Sequence, residues 1–150
     1  MSDKIIASDG RLSKIQIDKL CAMLDTILPA SEDRRLPSAS EMPFVDYLER
    51  QDPDYFEVLI FMLETLDDEF VRADYDARYD SLQEISRKDQ SRFNGLIRHV
   101  YTSYYENDRV MEAIGAQPGP PFPRGNTIEA GDLSLLDPVM SKPRSYRKGE

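Results

Sequence analysis

The chain has 150 residues, of which 40% are hydrophobic and 31% are charged, so it can bury a core of its own and is not a disordered or fibrous protein. Its formal net charge of -9 repels phosphate backbones and anionic lipid surfaces, which argues against nucleic-acid binding. The single cysteine, Cys21, excludes an internal disulfide and cannot form a thiolate metal cage by itself.

Two helices and a loop are predicted in the first third of the chain. Ser13 and Gln16 form a capping-box pattern before apolar residues at helical spacing, which predicts a first helix over about 14–28. The segment 29–40 has no period and several turn formers, so we predict an exposed loop. Ser40 can cap a short second helix over 41–50, with an inward face. That face consists of Phe44, Val45 and Leu48.

The third predicted helix, over 55–72, is the most apolar of all. Asp52 and Pro53 supply a cap and a preorganised first turn. The polar side of this helix is one narrow stripe, and a helix that is apolar around most of its circumference is normally buried between neighbours. The stripe consists of Glu57, Glu64 and Asp68. We therefore predict that this is the central helix.

A loop and two further helices are predicted next. The segment 73–84 mixes Asp and Tyr without a clear period, so we predict a loop or irregular turn. Ser86 and Asp89 repeat the capping signature and predict a long helix over 87–106. Asp108 is expected to cap a short helix that ends at Gly115. The core stripe of the long helix is predicted to be Phe93, Leu96, Ile97, Val100, Tyr101 and Tyr104.

Prolines and glycines dominate the sequence from residue 116 onward, which favours an extended tail. The segment 117–125 reads QPGPPFPRG, and such a stiff strand suits docking on a partner surface or on the chain's own helices. The residues alone leave these two roles open. The predicted fold is all-α: one domain with a bundle of four to five helices over about 13–115 and a C-terminal tail over 116–150.

The sequence offers little catalytic chemistry. The one histidine, His99, lies about 120° from the centre of the core stripe, so we predict an exposed or boundary position. A di-iron bundle needs a Glu-x-x-His motif on each of two helices, but Leu96 occupies the position three before His99. Nucleophile-elbow, dinucleotide and phosphate-loop motifs are also missing from the sequence. We predict no catalytic, cofactor-binding or metal-binding residue in this chain.

Neither a membrane span nor an export signal is expected from the sequence. The longest apolar run, over 58–63, is far shorter than the roughly 20 residues that cross a bilayer. Residues 1–11 contain no apolar stretch typical of a secretory signal. We therefore expect no membrane insertion by this chain and a cytoplasmic location for the chain as sequenced.

Several strings resemble the gluconate 2-dehydrogenase subunit 3 family, the small subunits of bacterial flavin-dependent sugar dehydrogenases. The matching pieces are Leu28-Pro29 with the loop after it, GPPFPRG at 119–125, GDLSLLDPV at 131–139, and Tyr146-Arg147. They bracket about two thirds of the chain, and the two C-terminal strings are the more specific ones. Members of this family commonly begin with a twin-arginine export signal and are periplasmic, whereas this sequence has no such signal.

The resemblance implies an accessory subunit beside a large subunit of the glucose-methanol-choline type that carries FAD, with a cytochrome as a possible electron acceptor. No catalytic residue transfers to this chain, because the chemistry lies in the large subunit. The rival hypotheses are a stand-alone helical protein that binds a ligand or another protein, and an independent enzyme. The residues expected to contact the partner are Pro120, Pro121, Phe122, Pro123, Arg124, Leu133, Leu135 and Leu136.

Overall fold

The computed structural model describes residues 10–116, 118–119 and 133–141, and it confirms an all-α fold, with no strand among these residues. They belong to two compact units, one before and one after residue 120. The helices of the first unit are α1 (Lys14–Ile27), α2 (Phe44–Gln51), α3 (Tyr55–Thr65), α4 (Tyr75–Lys88), α5 (Gln90–Tyr105) and α6 (Asp108–Ala113). In the second unit a 3₁₀ turn, Leu133–Leu136, leads into α7 (Asp137–Met140).

The first helix begins where the capping signature predicts. The Ser13 hydroxyl accepts from the Gln16 backbone N–H, and the Gln16 side chain accepts from the Ser13 N–H at 2.9 Å. Helix α1 contacts α3, α4 and two 3₁₀ turns, Ala39–Glu41 and Asp68–Val71. The central helix of this unit is therefore α1, which contacts the largest number of other elements, and not the helix predicted over 55–72.

The predicted third helix is shorter than expected and is buried on one side only. Helix α3 ends at Thr65, because Leu66 adopts an extended conformation and Asp67 caps the 3₁₀ turn that follows. Phe61 is 51% exposed, so the apolar circumference is not fully covered within the first unit. The acidic stripe faces solvent as predicted, and the buried face consists of Phe56, Leu59, Met62 and Leu63.

The prediction of a loop over 73–84 is wrong, because these residues form most of α4. The Asp74 carboxylate caps the helix by accepting from the Ala77 N–H at 2.9 Å. Leu82 is the one buried residue of α4, and Tyr75, Tyr79, Leu82 and Ile85 have the helical spacing i, i+4, i+7 and i+10 that the loop prediction missed. The predicted start of the next helix moves for the same reason: Ser86 lies within α4, and Asp89 alone caps α5 by accepting from Arg92 N–H.

The loop and the second helix also differ in detail from the prediction. Residues 32–35 are exposed, but 37–39 are buried, because Tyr104 donates to the Pro37 carbonyl at 2.8 Å. Ser38 rather than Ser40 caps the 3₁₀ turn, and α2 begins only at Phe44. Its inward face is confirmed, since Phe44, Val45 and Leu48 are buried.

The end of the first unit follows the predicted pattern with one change of cap. Asn107 accepts from the Arg109 N–H at 3.1 Å and so takes the capping role expected of Asp108. Gly115 has φ +77°, the left-handed conformation that ends many helices and that only glycine adopts without strain.

A buried ammonium group joins α1 to the end of α3. Lys19 is almost fully buried, and its Nζ donates to the Leu66 carbonyl at 2.7 Å. The same Nζ lies 2.8 Å from the exposed Asp68 carboxylate. Lys19 thus satisfies a carbonyl that α3 leaves free where it stops.

Candidate functional site

His99 lies in the protein interior, so the prediction of an exposed or boundary histidine is wrong. It is 4% exposed and belongs to the buried face of α5 together with Leu96, Val100, Ser103 and Tyr104. The buried face is centred further toward His99 than the predicted stripe, since Tyr101 is 43% exposed. Packing of α2 against α5 decides this rotation, because it brings Tyr47 to the His99 ring.

The imidazole of His99 has a polar partner on each nitrogen. Its Nδ1 lies 3.4 Å from the Tyr47 hydroxyl, and its Nε2 lies 3.3 Å from Asp52 Oδ2. With its proton on Nε2 the neutral ring donates to the carboxylate and accepts from the tyrosine at Nδ1; with its proton on Nδ1 it donates to the tyrosine and accepts at Nε2 from Arg98 Nη2, 3.4 Å away. Arg98 Nη2 lies 3.9 Å from the same carboxylate oxygen. We call Tyr47, Asp52, Arg98 and His99 the histidine cluster.

Burial and charge act in opposite directions on the histidine cluster. Burial, followed by the neighbouring Arg98 cation, lowers the pKa of His99, while the Asp52 carboxylate opposes this by a smaller amount. The ring of Tyr55 lies 4.7 Å from the imidazole, and burial raises the pKa of Tyr55 to about 12. Both rings are therefore neutral near pH 7.

The histidine cluster resembles a proton relay in its composition but not in its access. A catalytic base must lie within hydrogen-bond reach of a bound substrate. His99 is 4% exposed, and it lines neither of the two grooves described below. The cluster therefore acts as a hydrogen-bonded joint between α2 and α5, and Asp52 extends it to α3 by accepting from the Tyr55 N–H at 3.2 Å. Among the described residues, no group of three or more His, Cys, Asp or Glu side chains could hold a metal ion.

The first unit has an aromatic groove of about 370 Å³ between α1, α4 and α5, which we call the tyrosine groove. Tyr75 and Tyr79 on α4 are 52% and 47% exposed, and their rings stack at 6.3 Å with an angle of 17°. Tyr101 on α5 was predicted to be a core residue, but it is exposed and lines the same groove. The floor and walls are completed by Thr26, Ile27, Leu82, Gln83, Ser86, Phe93 and Ile97.

A second groove, of about 390 Å³, lies on the other flank of α4, with Met62, Leu66 and Ile85 among its apolar lining. The basic side chains that line it have partners within the protein. Lys88 pairs with Glu84 at 2.6 Å, and Arg92 pairs with Asp89 at 3.1 Å. Arg92 also lies over the Phe61 ring, 5.1 Å from its centre. We call this groove the charged groove, and its lysine and arginine already have acidic partners within the protein.

The predicted partner-binding residues are described only in part. Pro120, Pro121, Phe122, Pro123 and Arg124 lie outside the described residues. Leu133, Leu135 and Leu136 lie in the 3₁₀ turn before α7, and for the first two only the backbone is described. Leu136 is 49% exposed and Met140 is 78% exposed, so α7 and its approach present apolar side chains.

Comparison with known protein families, with curated proteins and with solved structures found no match to this chain. None of the described helices is long and apolar enough to span a bilayer. The two grooves and the histidine cluster are therefore interpreted from their own geometry.

Sequence reasoning missed both the histidine cluster and the tyrosine groove. The cluster had a weak signal, because Tyr47, Asp52 and Tyr55 lie close together in the sequence near the junction of α2 and α3. The groove had a stronger one: Tyr75 and Tyr79 have helical i, i+4 spacing and follow Asp74, a residue that commonly caps helices.

Proposed function

We propose that this chain is a non-catalytic accessory subunit that stabilises or matures a flavin-dependent sugar or polyol dehydrogenase of the glucose-methanol-choline type. The observation that carries the proposal is the pair of C-terminal strings, GPPFPRG and GDLSLLDPV, which resemble the small subunits of such enzymes. FAD would be bound by the large subunit, and a cytochrome could accept the electrons.

The described residues support a binding role for the second unit. Leu136 and Met140 are four positions apart and strongly exposed on a short helical segment. Exposed apolar side chains close to one another often mark a protein interaction surface. The first unit, in contrast, buries a core of its own, with Leu20, Leu48, Leu59, Leu63, Leu96, Val100 and Val110 at 0% exposure.

The proposal is tested by co-expression with a flavin-dependent oxidoreductase of the glucose-methanol-choline type from the same source organism, followed by affinity purification of this chain and gel filtration. A yellow complex that contains both chains and a flavin absorption spectrum is the expected result. If this chain elutes alone, and the large subunit is soluble and flavin-loaded without it, the proposed accessory role is wrong.

A double variant tests the C-terminal segment directly. Phe122→Ala with Arg124→Ala should weaken association with the large subunit and leave the thermal midpoint nearly unchanged, because a segment that serves association adds little to the fold of the free chain. Ile114→Ala, an exposed apolar residue after α6, is the matched control and should leave association unchanged. A large drop of the midpoint in the double variant would show that these side chains serve folding instead.

A second candidate function is a stand-alone helical protein that binds a ligand or another protein without any oxidoreductase. The tyrosine groove favours this candidate, because its exposed rings lie on the first unit and do not depend on the C-terminal strings. A chain that remains monomeric beside the oxidoreductase, yet binds a ligand in that groove, would support it.

A further inference from the structure

Two carboxylates of α4 lie beside the tyrosine groove, next in sequence to two of its lining residues and outside the lining itself. Asp76 and Asp80 follow Tyr75 and Tyr79 directly in the sequence, so each carboxylate lies about 100° around α4 from its tyrosine. Both are exposed, and neither forms an ion pair with any described residue. Like charges at i, i+4 destabilise a helix slightly. A cation supplied from outside would remove this repulsion.

The opposite end of α4 differs in charge. Arg87 lies eleven residues after Asp76 on a similar side of α4, and its Nη2 donates to the Gln83 side chain at 3.0 Å. These charges are therefore separated along the axis of α4, beside the groove, by about 16 Å, at about 1.5 Å of rise per residue. An extended polyproline-type segment advances about 3.1 Å per residue, so about five residues span this length.

The lining of the groove favours an extended segment over a compact ligand. Tyrosine rings pack against proline rings, and tyrosine hydroxyls can donate to the free carbonyls of a polyproline backbone. The Tyr79 hydroxyl oxygen accepts from Gln83 Nε2 at 3.0 Å, which leaves its own proton available for donation. An arginine next to Tyr75 and Asp76 would gain both a cation–π contact and an ion pair.

We propose that the tyrosine groove binds a short, extended, proline-containing segment of a partner protein, with an arginine or lysine at the end that meets Asp76 and Asp80. The charged groove on the other flank of α4 is a weaker candidate, because its lysine and arginine are already paired. The proposal concerns the helical unit alone and does not depend on the identity of the oxidoreductase partner.

The test is fluorescence anisotropy on the full chain with a labelled pentapeptide of one arginine followed by four prolines. We expect saturable binding with Kd below about 1 mM, weakened by added salt. A peptide of one glutamate and four prolines, and a peptide of one arginine and four glycines, should each bind at least about tenfold more weakly, since each lacks one half of the recognition.

Two groove variants separate the ring contact from the charge contact. Tyr79→Ala should weaken the peptide about tenfold, the loss expected for one aromatic contact. Asp76→Asn with Asp80→Asn should weaken it about threefold and remove most of the salt dependence. The control is Phe61→Ala, which removes an exposed aromatic ring outside the tyrosine groove and should leave binding unchanged. Circular dichroism checks that each variant is folded.

Three results would overturn the proposal. Equal binding of the arginine and glutamate peptides would show that Asp76 and Asp80 have no role. Unchanged binding to Tyr79→Ala and to the double Asn variant would place the peptide elsewhere. Saturable binding of methyl glucoside, lost in Tyr79→Ala, with no binding of the peptide, would assign the groove to a sugar ring instead.

Discussion

Gly95→Ala should destabilise this protein, although the same change stabilises most helices. A glycine inside a helix costs about 1 kcal/mol relative to alanine. At this position in α5, however, a Cβ atom would lie 2.7 Å from Cε2 of Tyr55 and 3.1 Å from its hydroxyl oxygen. The Tyr55 ring is held there, because its hydroxyl donates to the Arg92 carbonyl and the ring contacts His99 at a tilt of 48°.

The magnitude follows from three contributions to the free energy of unfolding. Forcing an extra methyl group into a packed contact costs about 1–3 kcal/mol. Displacing the Tyr55 ring also breaks its hydrogen bond to Arg92, which costs about 1 kcal/mol. Removal of the glycine returns about 1 kcal/mol. The net loss is therefore about 1–3 kcal/mol, or a thermal midpoint lower by about 2–4 °C for each kcal/mol.

A double-mutant cycle tests this reasoning with four proteins in urea denaturation: the wild type, Gly95→Ala, Tyr55→Ala and the double variant. In the Tyr55→Ala background the clash is gone, so Gly95→Ala should now raise the free energy of unfolding by about 1 kcal/mol. The sign of the effect thus reverses between backgrounds. Stabilisation by Gly95→Ala in the wild type would refute the placement of the Tyr55 ring against α5.

Three further predictions concern the buried face and its polar joints. Burial lowers the pKa of His99 below its usual 6.5, so the contribution of the neutral ring to stability is complete above that pH and is lost as the pH falls. The free energy of unfolding should therefore fall more steeply in the wild type than in His99→Gln between about pH 7 and about pH 5, and parallel curves would contradict this. Lys19→Met should lower the free energy of unfolding by about 1–3 kcal/mol, because it leaves the Leu66 carbonyl without a donor. Lys14→Met, at an exposed position on the same helix, should lower it by less than about 0.5 kcal/mol, and equal losses would contradict the buried Lys19–Leu66 hydrogen bond. Leu59→Ala should cost about 2–5 kcal/mol in urea denaturation because Leu59 is fully buried, and a loss under about 0.5 would place α3 on the surface.

The first helix and the end of the first unit show how much local chemistry settles. The side chains of Ser13 and Gln16 each accept a hydrogen bond from the other residue's backbone N–H. This needs no tertiary contact, so the start of α1 can be read in the sequence. Gly115 is readable for the same reason, since a left-handed residue at a helix end requires glycine. The all-α class and the inward face of α2 likewise follow from periodicity.

Helices α3 and α4 show where periodicity is no longer sufficient. An apolar circumference predicts burial, but α3 ends before Leu66, whose carbonyl accepts from Lys19 on a distant helix, and Asp67 locally caps the 3₁₀ turn that follows. Helix α4 has a thin stripe of Tyr75, Tyr79, Leu82 and Ile85, in which both tyrosines are about half exposed, so the apolar period is weak in the sequence. Its cap, Asp74, is also readable in the sequence.

The candidate sites depended on tertiary structure throughout. Composition alone established a single histidine, one cysteine and a strongly acidic chain, and these limit the chemistry that the residues can perform. Whether His99 faces water or Tyr47, and whether Tyr101 joins the core or a groove beside Tyr75 and Tyr79, depends on how α5 is rotated against its neighbours. A helix of mixed aromatic and polar residues can bury either of two adjacent faces, and only the packing of α2 and α4 against it selects one.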